Sequence, residues 1–147
     1  MKTTSKALRS HCAVNYGVEM FGDRWSLLIV RDIIFAGKKT YGDFLKSEEG
    51  IATNVLATRL AFLEEQGILA RTPDPGDKRK DFYTLTEKGL DLVPVVLAIG
   101  MWSAQHDPLS YVHGRPDFVA RLRQDPAALA DEVKALVRSG GCMFPQS

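Results

Sequence analysis

Residues 40–86 read TYGDFLKSEEGIATNVLATRLAFLEEQGILARTPDPGDKRKDFYTLT, and this stretch decides the fold. Thr40 has the side chain of a helix N-cap, and Asp43, three positions on, is a short-armed version of the capping-box acid. The helix they predict, Tyr41 to about Ser47, buries Phe44 and Leu45. Gly50 turns the chain. Thr53 is the expected cap of the next helix, which runs to about Gln66 with Leu56, Leu60 and Leu63 inward and stops at Gly67. Two short helices joined by a tight, glycine-containing connection form a helix-turn-helix pattern. Ile68 to Thr72 is β-like, and Pro73 to Lys80 joins turn chemistry to a basic cluster. Asp81 to Leu85 sets Phe82 and Thr84 against Tyr83 and Leu85, the period of a half-buried strand. Strand, loop and strand directly after a helix-turn-helix predict a β-hairpin wing.

Upstream, Val14, Val18 and Phe21 stand at helical spacing before Gly22. A second helix is expected from Arg24 to Phe35, with Trp25, Leu28, Ile29 and Ile33 as its buried stripe and Gly37 as its stop. Downstream, Thr86 can cap a long helix from Glu87 to about Gln105, kinked at Pro94. Its middle, Val93 to Met101, is apolar on nearly every side, so it needs partners on two faces. Asp107 to Pro116 reads as a linker. Asp117 to Arg123 is briefly helical, and Asp125 caps a last helix with Pro126 at its first position. Leu129, Val133, Leu136 and Val137 share one face of that helix, and Gly140-Gly141 ends it. The fold class is mainly α with a small β-hairpin wing: a winged helix-turn-helix with dimerisation helices at both ends and extra C-terminal helices. Residues 12–106 are read as one domain and 107–147 as a C-terminal helical extension.

The chain has 147 residues, 45% of them hydrophobic and 25% charged, enough to bury a core without metal or disulfide staples. Its net charge of +1 hides an asymmetry: residues 1–80 carry 13 Lys and Arg against 10 Asp and Glu, and the remainder 6 against 8. A basic N-terminal half fits a nucleic-acid partner. Cys12 and Cys142 form no CxxC pair, and His11, His106 and His113 complete no zinc pattern, so neither metal nor cofactor is expected. No GxSxG, P-loop, GxGxxG or HExxH pattern occurs, which argues against an enzyme. Met1 to His11 is polar and basic, unlike a signal peptide, and Leu92 to Met101 is about half of the ~20 residues a membrane span needs. The cytoplasm is the expected compartment.

Particular residues add a resemblance. Cys12-Ala13-Val14, Phe21 to Ile29, Leu56 to Leu69, Tyr83 to Gly89, Leu92-Val93-Pro94-Val95 and Trp102 follow in the order and spacing of the HxlR family, relatives of the MarR-type regulators. Two departures leave the fold untouched: the charge of Lys38-Lys39-Thr40-Tyr41 falls one place early, and Ala13 stands where Pro is common. The resemblance implies a winged-helix homodimer on operator DNA and says little about residues 107–147.

A helix fits the major groove, and its N-terminal residues meet base edges. With its leucines inward, the 53–66 helix presents Thr53, Asn54, Ala57, Thr58 and Ala61, with no acid from 53 to 61 and Glu64 and Glu65 only at the far end. Thr53, Asn54 and Thr58 are the base-reading candidates, beside a reading of Thr53 as a mere cap. Arg59 either reaches a phosphate or locks the helix to Glu19 or Asp23. Lys38, Lys39, Thr40 and Tyr41 at the third helix, and Lys78, Arg79 and Lys80 on the wing, are backbone candidates. Val93, Val96, Leu97, Met101 and Trp102, with the first helix, are candidates for the dimer contact. Cys12 is either a redox sensor with a lowered pKa or a half-buried structural thiol. Double-stranded DNA, a second copy of the chain, and a small-molecule or oxidant effector are the candidate partners. A winged-helix protein-interaction module without DNA binding is the alternative.

Overall fold

The computed structural model describes residues 7–145. Residues 1–6 lie outside that range, and with them most of the polar start read above as unlike a signal peptide. The elements are α1 (Ala13–Phe21), α2 (Ser26–Ala36), α3 (Tyr41–Leu45), α4 (Thr53–Glu65), β1 (Leu69–Asp74), β2 (Asp77–Leu85), α5 (Glu87–Leu90), α6 (Val93–His106), α7 (Pro116–Gln124) and α8 (Pro126–Arg138).

Helix α2 is the centre of the molecule. Val30 and Ile34 are fully buried beside Ile29 and Ile33, so the burial is broader than the expected stripe, in which Trp25 and Leu28 are only half-buried. Asp23 starts this helix: its carboxylate accepts from the amides of Trp25 and Ser26 at 2.9 Å and from the Ser26 hydroxyl at 2.6 Å. Gly37 ends it in the left-handed region, φ 69°, where a side chain would be strained. Thr40 and Asp43 form the capping box of α3. Helix α4 departs in one detail: its N-cap is Ala52, and Thr53 is the first helical residue.

Strands β1 and β2 pair antiparallel from Leu69↔Leu85 to Pro73↔Asp81, with an irregularity before Asp74↔Asp77. The turn is only Pro75-Gly76, so Lys78, Arg79 and Lys80 lie on β2 and not in an open loop. The single long helix expected from Glu87 is two. Helix α5 ends at Leu90, and Pro94 stands in the first turn of α6, where its missing amide costs nothing. Gly89 allows the close approach of α5 to the hairpin, since a Cβ there would stand 2.3 Å from the Ile68 carbonyl oxygen.

The C-terminal extension shares the core. Leu122, Leu129, Ala130 and Val133 join the buried cluster containing Ile29, Leu56, Leu60 and Leu97. Asp125 caps α8 as expected, accepting from the Ala128 amide at 3.0 Å. The chain then returns to α2: the amides of Met143 and Phe144 donate to the carbonyls of Ile34 and Phe35 at 2.9 and 2.8 Å. Those carbonyls belong to the last turn of a helix, which leaves them without intrahelical partners. Phe144 stacks on Phe35, and Arg115 lies over the Phe144 ring at 3.6 Å. Among the described residues no helix is long and apolar enough to cross a membrane.

Candidate nucleic-acid interface

Helix α4 carries one outward face. Thr53, Asn54, Ala57, Thr58 and Ala61 are all exposed, while Leu56, Leu60 and Leu63 are buried. The Thr58 hydroxyl donates to the Asn54 carbonyl at 2.9 Å, leaving its oxygen and methyl outward. The side chains of Thr53 and Asn54 make no hydrogen bond among the described residues. Tyr41 is half-buried, and its hydroxyl donates to the Thr53 carbonyl at 2.8 Å. It thus ties the start of α3 to the start of α4, and Thr40 is occupied as a cap.

The expected cations divide. Lys38 is committed inside: its ammonium donates to the Ser47 hydroxyl at 2.8 Å and stands 3.6 Å from Asp32. Asp32 is only 6% exposed and also accepts from Arg31, while Arg31 pairs in two-pronged fashion with Glu49. This network fastens α2 to the turn of the helix-turn-helix. A desolvated acid needs such partners, and Lys38 supplies one. Arg59 is likewise an internal lock, 3.5 Å from Asp23 and over the Phe62 ring. Burial works to raise the pKa of Asp23, but the Ser26 hydroxyl, the two amides and Arg59 outweigh it and hold the carboxyl below its ordinary value.

Lys39, Lys78 and Lys80 are exposed or half-exposed and make no ion pair among the described residues; Arg79, highly exposed, touches only Asp77. The wing is tied down from behind. The Tyr83 amide donates to the Lys39 carbonyl at 2.7 Å, and Arg71 of β1 stands 3.3 Å from Glu64 of α4. A cleft of about 410 Å³ runs between α3 and the wing, with Lys46, Arg79 and Lys80 on its walls.

The residues expected at a dimer contact also divide. Val93 and Leu97 are 0% and 3% exposed in the protomer's own core, in one buried cluster with Leu122, Leu129 and Val133 of the extension, so neither is available to a partner. Val96 and Met101 are half-buried against the core. Trp102 is 65% exposed, and Ile99, Val14 and Val18 are exposed with it. Cys12 is exposed at the start of α1, not half-buried. The backbone amides of Asn15 and Val14 lower its pKa, since a thiolate there faces partial positive charge. Arg9 contributes through no contact with it: that side chain turns to Glu19 and Asn15. Cys142 lies instead against Gly37 at the end of α2.

Periodicity gave no hint of the Asp32 network; an acid inside the apolar run Leu27 to Ile34 was the available signal.

A helix-turn-helix of α3 and α4, whose outward face is free of acid from Thr53 to Ala61, and a two-stranded hairpin directly after it define a winged helix-turn-helix protein. The chain belongs to the HxlR-like helix-turn-helix family, whose model matches residues 20–110. It is 33% identical over 96 residues to an HTH-type transcriptional regulator of Mycobacterium bovis, covering 65% of this chain and 60% of that relative. The chain therefore spans less than two thirds of that relative's length. Among solved structures it resembles PA1607, described as a transcription factor, at 38% identity and TM-score 0.63, covering 69% of this chain and 71% of that one. It also resembles the redox regulator HypR in its oxidised form, at 26% identity and TM-score 0.59, covering 67% and 100%.

Proposed function

We propose that this protein is a DNA-binding transcriptional regulator that acts as a homodimer on an inverted-repeat operator, with α4 in the major groove and the wing on the backbone. The outward face of α4 carries the reading: Thr53, Asn54 and Thr58 stand exposed at its start with no acid beside them, and Lys39 and the β2 lysines Lys78 and Lys80 are exposed without an ion pair among the described residues. Asn54 has the amide geometry to pair with adenine, and the threonines suit thymine methyls or hydrogen bonds. Lys39, Lys78, Arg79 and Lys80 supply charge for phosphates, whereas Lys38 and Arg59 position the reading helix from behind. Val14 and Val18 of α1 and Ile99 and Trp102 of α6 are exposed apolar side chains, the kind of surface that a two-fold partner covers.

Selection from a random DNA library with the purified protein, read by sequencing, tests this. Enriched inverted repeats are expected. Absence of any enriched sequence at low salt supports the protein-interaction alternative.

A second reading concerns Cys12, favoured by its exposure and its lowered pKa at the N-terminus of α1. Two Cys12 thiols, one from each subunit of the dimer, give up two electrons and two protons to an oxidant such as diamide and join as a disulfide, which lowers operator affinity. Diamide then weakens binding by the wild type, reversibly with thiol, and leaves Cys12→Ser unaffected; equal responses of the two proteins assign Cys12 a structural role.

A further inference from the structure

Helix α6 has three faces, and only two are accounted for. Leu97 and Val93 face the core, and Trp102 and Ile99 face outward. Between them Pro94, Ala98 and Met101 line one wall of a groove of about 510 Å³, whose other wall is Ala127 and Ala130 of α8. At 3.6 residues per turn this stripe lies about a quarter turn or more from Ile99, while Ala98 stands one turn from Trp102, so the groove runs along the edge of the outward face. From Pro94 to Gln105 the groove follows α6 for about 16 Å.

The walls are alkyl, and the one charged group on them is Arg123, with the Gln105 amide also at the groove. The chemistry of Arg123 is unlike that of its neighbours. The extension has five cations: Arg121 pairs with Glu132, Lys134 with Asp91, Arg138 with Glu87, and Arg115 covers Phe144. Arg123 alone has no partner among the described residues, and no acid lines the groove. A long apolar channel with a single unpaired guanidinium is complementary to a molecule with an apolar body and one anionic head.

We propose that this groove binds an unbranched aliphatic carboxylate, its chain between α6 and α8 and its head group on Arg123. Each buried methylene contributes to affinity, and the guanidinium selects the carboxylate end. Gln105 donates a second hydrogen bond to the head group.

Isothermal titration calorimetry of the full chain with decanoate, below the concentration at which it forms micelles, tests the site without any DNA, so its outcome is independent of the operator reading. Saturable binding of one decanoate per chain is expected. Arg123→Gln weakens it about tenfold or more, the worth of one charge-assisted hydrogen bond. Ala127→Trp fills the groove and abolishes binding, and decylamine does not bind. Both variants change exposed positions, and circular dichroism checks their folding; if Ala127→Trp unfolds, the Arg123→Gln and decylamine arms still decide. No decanoate binding, equal affinity in Arg123→Gln, or decylamine bound as tightly overturns the proposal. So does sedimentation in which Ala127→Trp alone converts a dimer to monomer, since the groove would then be a subunit contact.

Discussion

Single residues here divide by whether their polar atoms are already satisfied. Asn54 is exposed with an uncommitted amide, so its removal costs nothing in the fold and something in recognition. Asn54→Ala is expected to relax sequence preference at one position in each half-site by ~1–3 kcal/mol, measured by competition binding against operator variants. Asp23 is the opposite case. It accepts from the amides of Trp25 and Ser26 at the start of α2, satisfies the fully buried Ser26 hydroxyl and holds Arg59. Asp23→Ala is expected to cost ~1–3 kcal/mol in urea unfolding, because it removes the acceptor for two amides at the start of α2 and strands a buried hydroxyl. Stability equal to wild type would remove Asp23 and Arg59 from the positioning of α4.

At the scale of elements, the wing and the helix-turn-helix are held by different forces. The wing presents Arg79 and Lys80 on a strand. Replacing both with Ala is expected to lower affinity for every DNA sequence alike and to flatten the salt dependence, by about 0.9 in log–log slope for each phosphate no longer neutralised. Unchanged affinity at low salt would take the wing off the DNA. The helix-turn-helix is fastened through Arg31 and Glu49, and the Arg31 guanidinium pulls the Glu49 carboxyl down to about 2 from its ordinary 4.5. A carboxyl depressed in the folded state binds fewer protons than in the unfolded chain, so its stabilisation is complete above pH about 4.5 and fades as pH falls towards 2. Glu49 is partly exposed, so solvent screens the pair and the effect is at most ~1 kcal/mol. Glu49→Gln is expected to flatten that part of the acid limb in urea titrations, with little further change at neutral pH as pH is varied.

For the whole molecule, the extension converts half of an apolar helix into core. Because Leu97 is buried in a core that α7 and α8 share, an acidic substitution there would unfold the chain and report nothing about assembly. Trp102 is the discriminating position. Trp102→Glu is expected to yield a folded monomer in sedimentation where the wild type is a dimer; a wild-type monomer at micromolar concentration overturns the two-fold contact. The returning tail makes its own contribution. Phe144→Ala removes the stack on Phe35 and the Arg115 contact and is expected to cost ~1–2 kcal/mol, with faster hydrogen exchange at the end of α2.

The sequence by itself determined the helix-turn-helix, the hairpin, the caps at Thr40 and Asp125 and the outward face of α4. Each is written in neighbouring residues, as a period of apolar side chains or a cap next to the turn it closes. It also carried the family, through ordered matches between Cys12 and Trp102. Only the tertiary structure decided which polar and apolar groups were already spoken for. Lys38 and Lys39 are adjacent and chemically alike, yet Lys38 serves a buried acid six residues before it and Lys39 faces solvent. Leu97 and Trp102 share one apolar helix, yet α8, some thirty residues on, covers Leu97 and leaves Trp102 bare. Local pattern fixes where a side chain points along its own element; what meets it there depends on packing between segments distant in the chain, which no local period encodes.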